Sequence, residues 1–165
     1  MNQNYIRVGV LSAMVLSAFI GMAVPSKPVP PPTQKKPANQ TATYRDAQGR
    51  MTGTQRTDKS GTTTYRDAQG RSMGTSKVDE YGKTTFRDSK GRAIGFSEMD
   101  QRGRTVYRDV QGRATGTAQT DSSGRTTYRD KHGRVTGFSQ TDANGRTTFR
   151  DANGRAVGSK AVRGF

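Results

Sequence analysis

The chain has 165 residues, a formal net charge of +15, 29% hydrophobic residues and no cysteine. That length ordinarily holds one domain. The missing cysteine excludes disulfides, thiolate metal sites and a lipid-anchor thiol, and the charge points towards anionic partners.

The first elements are not part of the fold. Met1–Arg7 is short and mildly basic, Val8–Val24 is an uncharged apolar run, and Gly21 and Ala23 put small residues before a cleavage point after Ala23. This is the layout of a secretory signal over residues 1–23. An uncleaved anchor is the alternative, since the 17-residue run is at the short end for spanning a bilayer and Lys27, Lys35 and Lys36 flank its far side. Residues 24–40 are rich in proline and lysine, which implies an extended spacer reaching roughly 50 Å.

Residues 41–165 form a repeat domain. Tyr44, Tyr65, Phe86, Tyr107, Tyr128 and Phe149 are spaced by 21, and each opens the run Tyr/Phe-Arg-Asp-x-x-Gly-Arg. A second Asp-x-x-Gly closes five units, whereas the sixth stops short with Arg163 where its aspartate would stand. Asp-x-x-Gly is turn chemistry. The aspartate bonds the backbone ahead of it, and the glycine takes the left-handed conformation that ends a type I turn in a bulge. Eleven such turns separate segments of strand length rich in threonine and aromatics. The expectation is an all-β antiparallel meander or solenoid of about six 21-residue hairpins, elongated and with a marginal core.

With that turn alone setting the register, Tyr128 faces Thr136 and Thr126 faces Phe138. One face would then carry the aromatics with Met73, Ile94, Phe96 and Val157. The other would carry Arg45, Arg66, Arg87, Arg108, Arg129 and Arg150 with Lys83, Arg104, Arg125 and Arg146. Only 20 of the 125 residues from 41 onward are Ile, Val, Met, Phe or Tyr. So thin a core leaves disorder until binding open beside the repeat architecture.

No catalytic, metal or cofactor constellation is legible. His132 occupies a turn position held in the other units by Gln, Lys or Asn, and each Tyr/Phe-Arg-Asp carboxylate is flanked by arginines. The repeat region carries 24 basic and 13 acidic residues, and arginine suits phosphate and carboxylate recognition.

The run Tyr-Arg-Asp-x-x-Gly-Arg followed by Asp-x-x-Gly-Arg resembles the YD repeats of the Rhs and teneurin-like families. The resemblance covers residues 41–160 and implies β-hairpin units and an exported location. This chain departs from that pattern in three ways. An arginine separates Tyr128 from Asp130, as in every copy, leucine after Gly-Arg is absent, and six units are too few to enclose a cavity.

The function expected is that of an exported, non-enzymatic repeat protein of the periplasm or cell surface. It would bind an anionic polymer or envelope glycan through the basic face, with membrane contact confined to residues 8–24 if these are uncleaved. The alternative is a structural or adhesive module that self-associates or docks a partner through the aromatic face.

Overall fold

The structure is a computed structural model and describes residues 40–163, with the backbone alone for Arg163. The signal and most of the spacer lie outside the described residues. Twelve strands follow in order: β1 (Thr41–Asp46), β2 (Met51–Thr57), β3 (Thr62–Asp67), β4 (Ser72–Val78), β5 (Thr84–Asp88), β6 (Ala93–Met99), β7 (Thr105–Arg108), β8 (Ala114–Thr120), β9 (Arg125–Asp130), β10 (Val135–Thr141), β11 (Arg146–Asp151) and β12 (Ala156–Arg163). Each pairs antiparallel with its chain neighbour, and β12 pairs with β1.

The fold is therefore all-β and antiparallel as expected, but it is a closed barrel and not an open meander or an elongated solenoid. Six units do suffice to close. The short sixth unit follows directly: twelve strands in a ring need eleven turns, and the remaining junction is the hydrogen-bonded seam from Thr41↔Arg163 to Asp46↔Gly158.

The turns form as their chemistry dictates. At the first, Gly49 N donates to Asp46 O at 3.0 Å, Asp46 N donates to Arg50 O at 2.9 Å, and Gly49 has φ +80°. Asp46 Oδ1 accepts from the backbone N–H of Gln48 and Arg50. The same pattern of backbone bonds recurs at all eleven turns.

The expected register is wrong by one residue. Tyr128 lies opposite Gly137, Phe138 opposite Thr127 and Thr126 opposite Ser139, because a β-bulge between Val135 and Gly137 absorbs an extra residue. A single-residue slip turns every later side chain to the other face. Phe138 and Phe96 therefore point out of the barrel, and exposed Ile94 and Val157 lie at the bulge, outside the aromatic interior. The equivalent bulge recurs in all six units, at Tyr44/Arg45, Tyr65/Arg66, Phe86/Arg87, Tyr107/Arg108, Val135/Gly137 and Phe149/Arg150.

Regular bulging bends the sheet by the same amount in each unit. The path Tyr44↔Gly53↔Asp67 advances two residues per repeat, and Phe149↔Gly158↔Asp46 keeps that step across the seam. Six such steps make the shear equal to the strand number, which corresponds to a strand tilt of about 36°. Equivalent residues then stand at one height, and the six aromatics form one ring around the axis.

Beside each ring member sits a glycine: Tyr44↔Gly53, Tyr65↔Gly74, Phe86↔Gly95, Tyr107↔Gly116, Tyr128↔Gly137 and Phe149↔Gly158. These glycines are required by close approach. A Cβ on Gly53 would lie 2.4 Å from the Arg66 carbonyl oxygen of the next unit. The rest of the interior is small and polar, with Thr84, Thr126, Thr147 and Ser139 the most deeply buried side chains. Threonine pairs tie neighbouring strands there, as in Thr120 Oγ1···Thr126 Oγ1 at 2.8 Å.

Candidate functional site

The up-and-down topology sends alternate turns to opposite ends of the barrel. One end holds the six Tyr/Phe-Arg-Asp-x-x-Gly-Arg turns and is termed the arginine mouth. The other holds the five remaining turns together with the start of β1 and the end of β12, and is termed the terminal mouth.

The ten basic residues singled out from the sequence divide between these ends. Arg45, Arg66, Arg87, Arg108, Arg129 and Arg150 sit at the arginine mouth, and each donates Nη1 to the carbonyl of its own turn glycine at 2.7–3.0 Å. Each arginine clamps a turn with one donor and keeps others for solvent. Arg108 differs, because Glu98 accepts its Nε at 3.0 Å and takes up its charge. Lys83, Arg104, Arg125 and Arg146 stand at the terminal mouth. There Lys83 lies 4.0 Å from the Phe96 ring centroid, Arg125 lies 3.9 Å from that of Phe138, and Arg104 pairs with Asp100.

The aromatic set Tyr44, Tyr65, Phe86, Tyr107, Tyr128 and Phe149 faces the interior, buried at every position but Phe149, which is half-buried. Tyr65 and Tyr128 share hydrogen bonds with Ser76 and Ser139 at 3.0 Å, and Tyr44 donates to Gln55. Burial holds the Tyr65 and Tyr128 hydroxyls up at about 12. It raises those of Tyr44 and Tyr107 further, and each of these also feels Tyr65 and Tyr128. Lys160 belongs to the same interior. It is 3% exposed, lies opposite Tyr44 and Thr147, and burial pushes its ammonium down to about 8.

Six further arginines were not singled out from the sequence, although the recurring Gly-Arg was visible. Arg50, Arg71, Arg92, Arg113 and Arg134 each pair with the aspartate of their own turn at 2.6–2.8 Å. Arg155 keeps only the backbone bond to Asp151, and no ion pair joins the two among the described residues. The Arg50 side chain holds the Asp46 carboxyl below its usual range. These guanidinium groups are about three-quarters exposed, so the pairs add little stability.

Summed by end, the charge is lopsided. The arginine mouth gathers twelve arginines with Lys90 and Lys131 against six aspartates and Glu98, which pairs with Arg108, a net +7. The terminal mouth sets Lys59, Lys83, Arg102, Arg104, Arg125 and Arg146, with Arg56, Lys77 and Arg163 on the strand ends beside them, against Asp58, Asp79, Glu80, Asp100, Asp121 and Asp142, a net +3.

No protein-family model matches the chain, and no curated protein matches it. Among solved structures it is similar to BamB from Moraxella catarrhalis at 13% identity and a TM-score of 0.28, over 67% of this chain and 54% of that one. It thus spans about half the length of that protein. A second likeness, to alternansucrase in complex with isomaltononaose, has 20% identity and a TM-score of 0.18, over 68% of this chain and 11% of that one. At these scores neither bears on architecture or function.

Proposed function

We propose that the protein is an exported, non-enzymatic repeat barrel of the cell envelope or surface that binds polyanions or envelope glycans through its arginine mouth. The observation that carries this reading is the uneven segregation of charge: +7 at the arginine mouth against +3 at the terminal mouth. Local solubility does not require such segregation, whereas a ring of weak cationic contacts gains by multivalency. The apolar run at Val8–Val24 and the proline spacer support export, with the barrel held at the end of a reach of roughly 50 Å. We read the units as a short, divergent array of YD type.

The adhesive alternative loses most of its support, because the six ring aromatics of the face on which it rested turn into the barrel, with Phe96 and Phe138 outside. The polyanion reading predicts retention on a heparin or lipopolysaccharide column, with affinity falling steeply as salt rises. Absence of retention, or retention indifferent to salt, overturns it.

A further inference from the structure

The arginine mouth is apolar as well as cationic; the terminal mouth also exposes Val78, Tyr81 and Met99, so charge and not apolar surface distinguishes the two ends. Exposed Met51, Ile94 and Val157 stand at the bulges beside its turns, and Val110 stands within one of them, at 45%, 45%, 51% and 52% exposure. They stand in four of the six units, so the rim sets aliphatic side chains beside its cations. A linear polyanion crossing a ring meets only the arginines on its own track. A flat anionic surface meets them all, and an acyl layer behind it also accepts the aliphatic groups.

We infer that the arginine mouth docks end-on to a flat layer of anionic lipid headgroups, an inference that rests on the polyanion reading and narrows it. The contact is distinct from any made by residues 8–24. Those residues precede β1, whose first residue is at the terminal mouth, so the two contacts leave the barrel from opposite ends.

The absence of native cysteine makes the test clean. In the full chain, Ala152→Cys labels a turn of the arginine mouth and Ser122→Cys the matching position at the terminal mouth; both residues are exposed. Each labelled protein is added to phosphatidylglycerol vesicles carrying a lipid-borne nitroxide quencher, and to phosphatidylcholine vesicles carrying the same quencher. The expected result is loss of emission at position 152 with phosphatidylglycerol only, and none at position 122. Insertion of residues 8–24 does not select between the two lipids and tethers the barrel from the end that carries label 122, so it does not imitate that pattern.

Lys90→Glu with Lys131→Glu changes two turn positions that other units fill with Gln, His or Asn and with Ala, Ser or Val respectively, so the fold is spared. It should weaken the phosphatidylglycerol response by about five-fold for each positive charge removed. Lys59→Glu with Arg102→Glu, the counterpart at the terminal mouth, should leave the response unchanged. Equal quenching at the two labels, or equal loss from the two double variants, overturns end-on docking. Retention on heparin without any lipid response overturns this inference and leaves the polyanion reading standing. No response to either overturns both.

Discussion

Gly158, on the last strand, lies against the backbone carbonyl of Arg45 on the first: a Cβ at 158 would be 2.6 Å from that oxygen. Gly53 makes the same approach to Arg66 within the continuous chain. The seam is thus built like every other junction between units, without a covalent link. Gly158→Ala should force β12 from β1 and cost about 2 kcal/mol in a thermal melt. Gly133→Ala meets no atom but must hold a φ of +80°, so it should cost about 1 kcal/mol and leave the seam intact.

Because the seam matches the other junctions, the chain should tolerate new ends. A circular permutant that joins residue 163 to residue 41 through an Asp-x-x-Gly turn and opens within residues 121–124 should fold to the same barrel. Circular dichroism should give the parent spectrum and a cooperative melt. A non-cooperative melt would show that the order of repeats matters.

The tyrosine hydroxyls are not equivalent. Tyr128→Phe removes the bond to buried Ser139, so it should cost about 1 kcal/mol in chemical denaturation. Ala118 stands at the corresponding place for Tyr107, so Tyr107→Phe should cost less. Equal costs would mean that burial of the ring, and not its hydrogen bonds, sets the contribution.

Stability should follow a hump in alkaline solution. Lys160 titrates near 8 in the barrel against an ordinary lysine value of 10.5, so the unfolded chain binds the extra proton and stability rises between those values. The buried tyrosines act in the opposite sense. Their folded values of about 12 exceed the ordinary 10, so their contribution is complete below pH 10 and is lost as pH climbs towards 12. Melting temperatures should therefore rise from pH 8, peak near pH 10 and fall beyond it. Lys160→Met should flatten the rising limb and spare the falling one.

The sequence shows the turns because Asp46, Gly49 and Arg50 settle their geometry among themselves. The period and strand lengths follow from the same local chemistry. The register is not local. The bulge beside Gly137 lets the chain pass the Arg150 carbonyl of the next unit, a contact no pattern within one repeat reveals. The inward and outward faces were therefore mixed. The turn-set register pairs Phe138 with the Tyr128 face, whereas Phe138 stacks outside under Arg125, and the basic residues it lines up on one face divide between two ends. Closure depends on curvature accumulated over six units. Its trace in the sequence is the set of departures at the seam: Ala42 where other units carry threonine, and Gln55 and Lys160 where they carry serine or alanine.

The bulge, described above as a source of curvature, also acts as a counter. Each copy turns the wall by one sixth of a circle, so a seventh unit would overlap the first and a fifth left last would leave a gap. Ordinary repeat arrays lengthen one unit at a time and keep a working surface at every length. Here the arithmetic of the ring denies that freedom: unit number changes only together with the angle set beside Gly53 and its five counterparts.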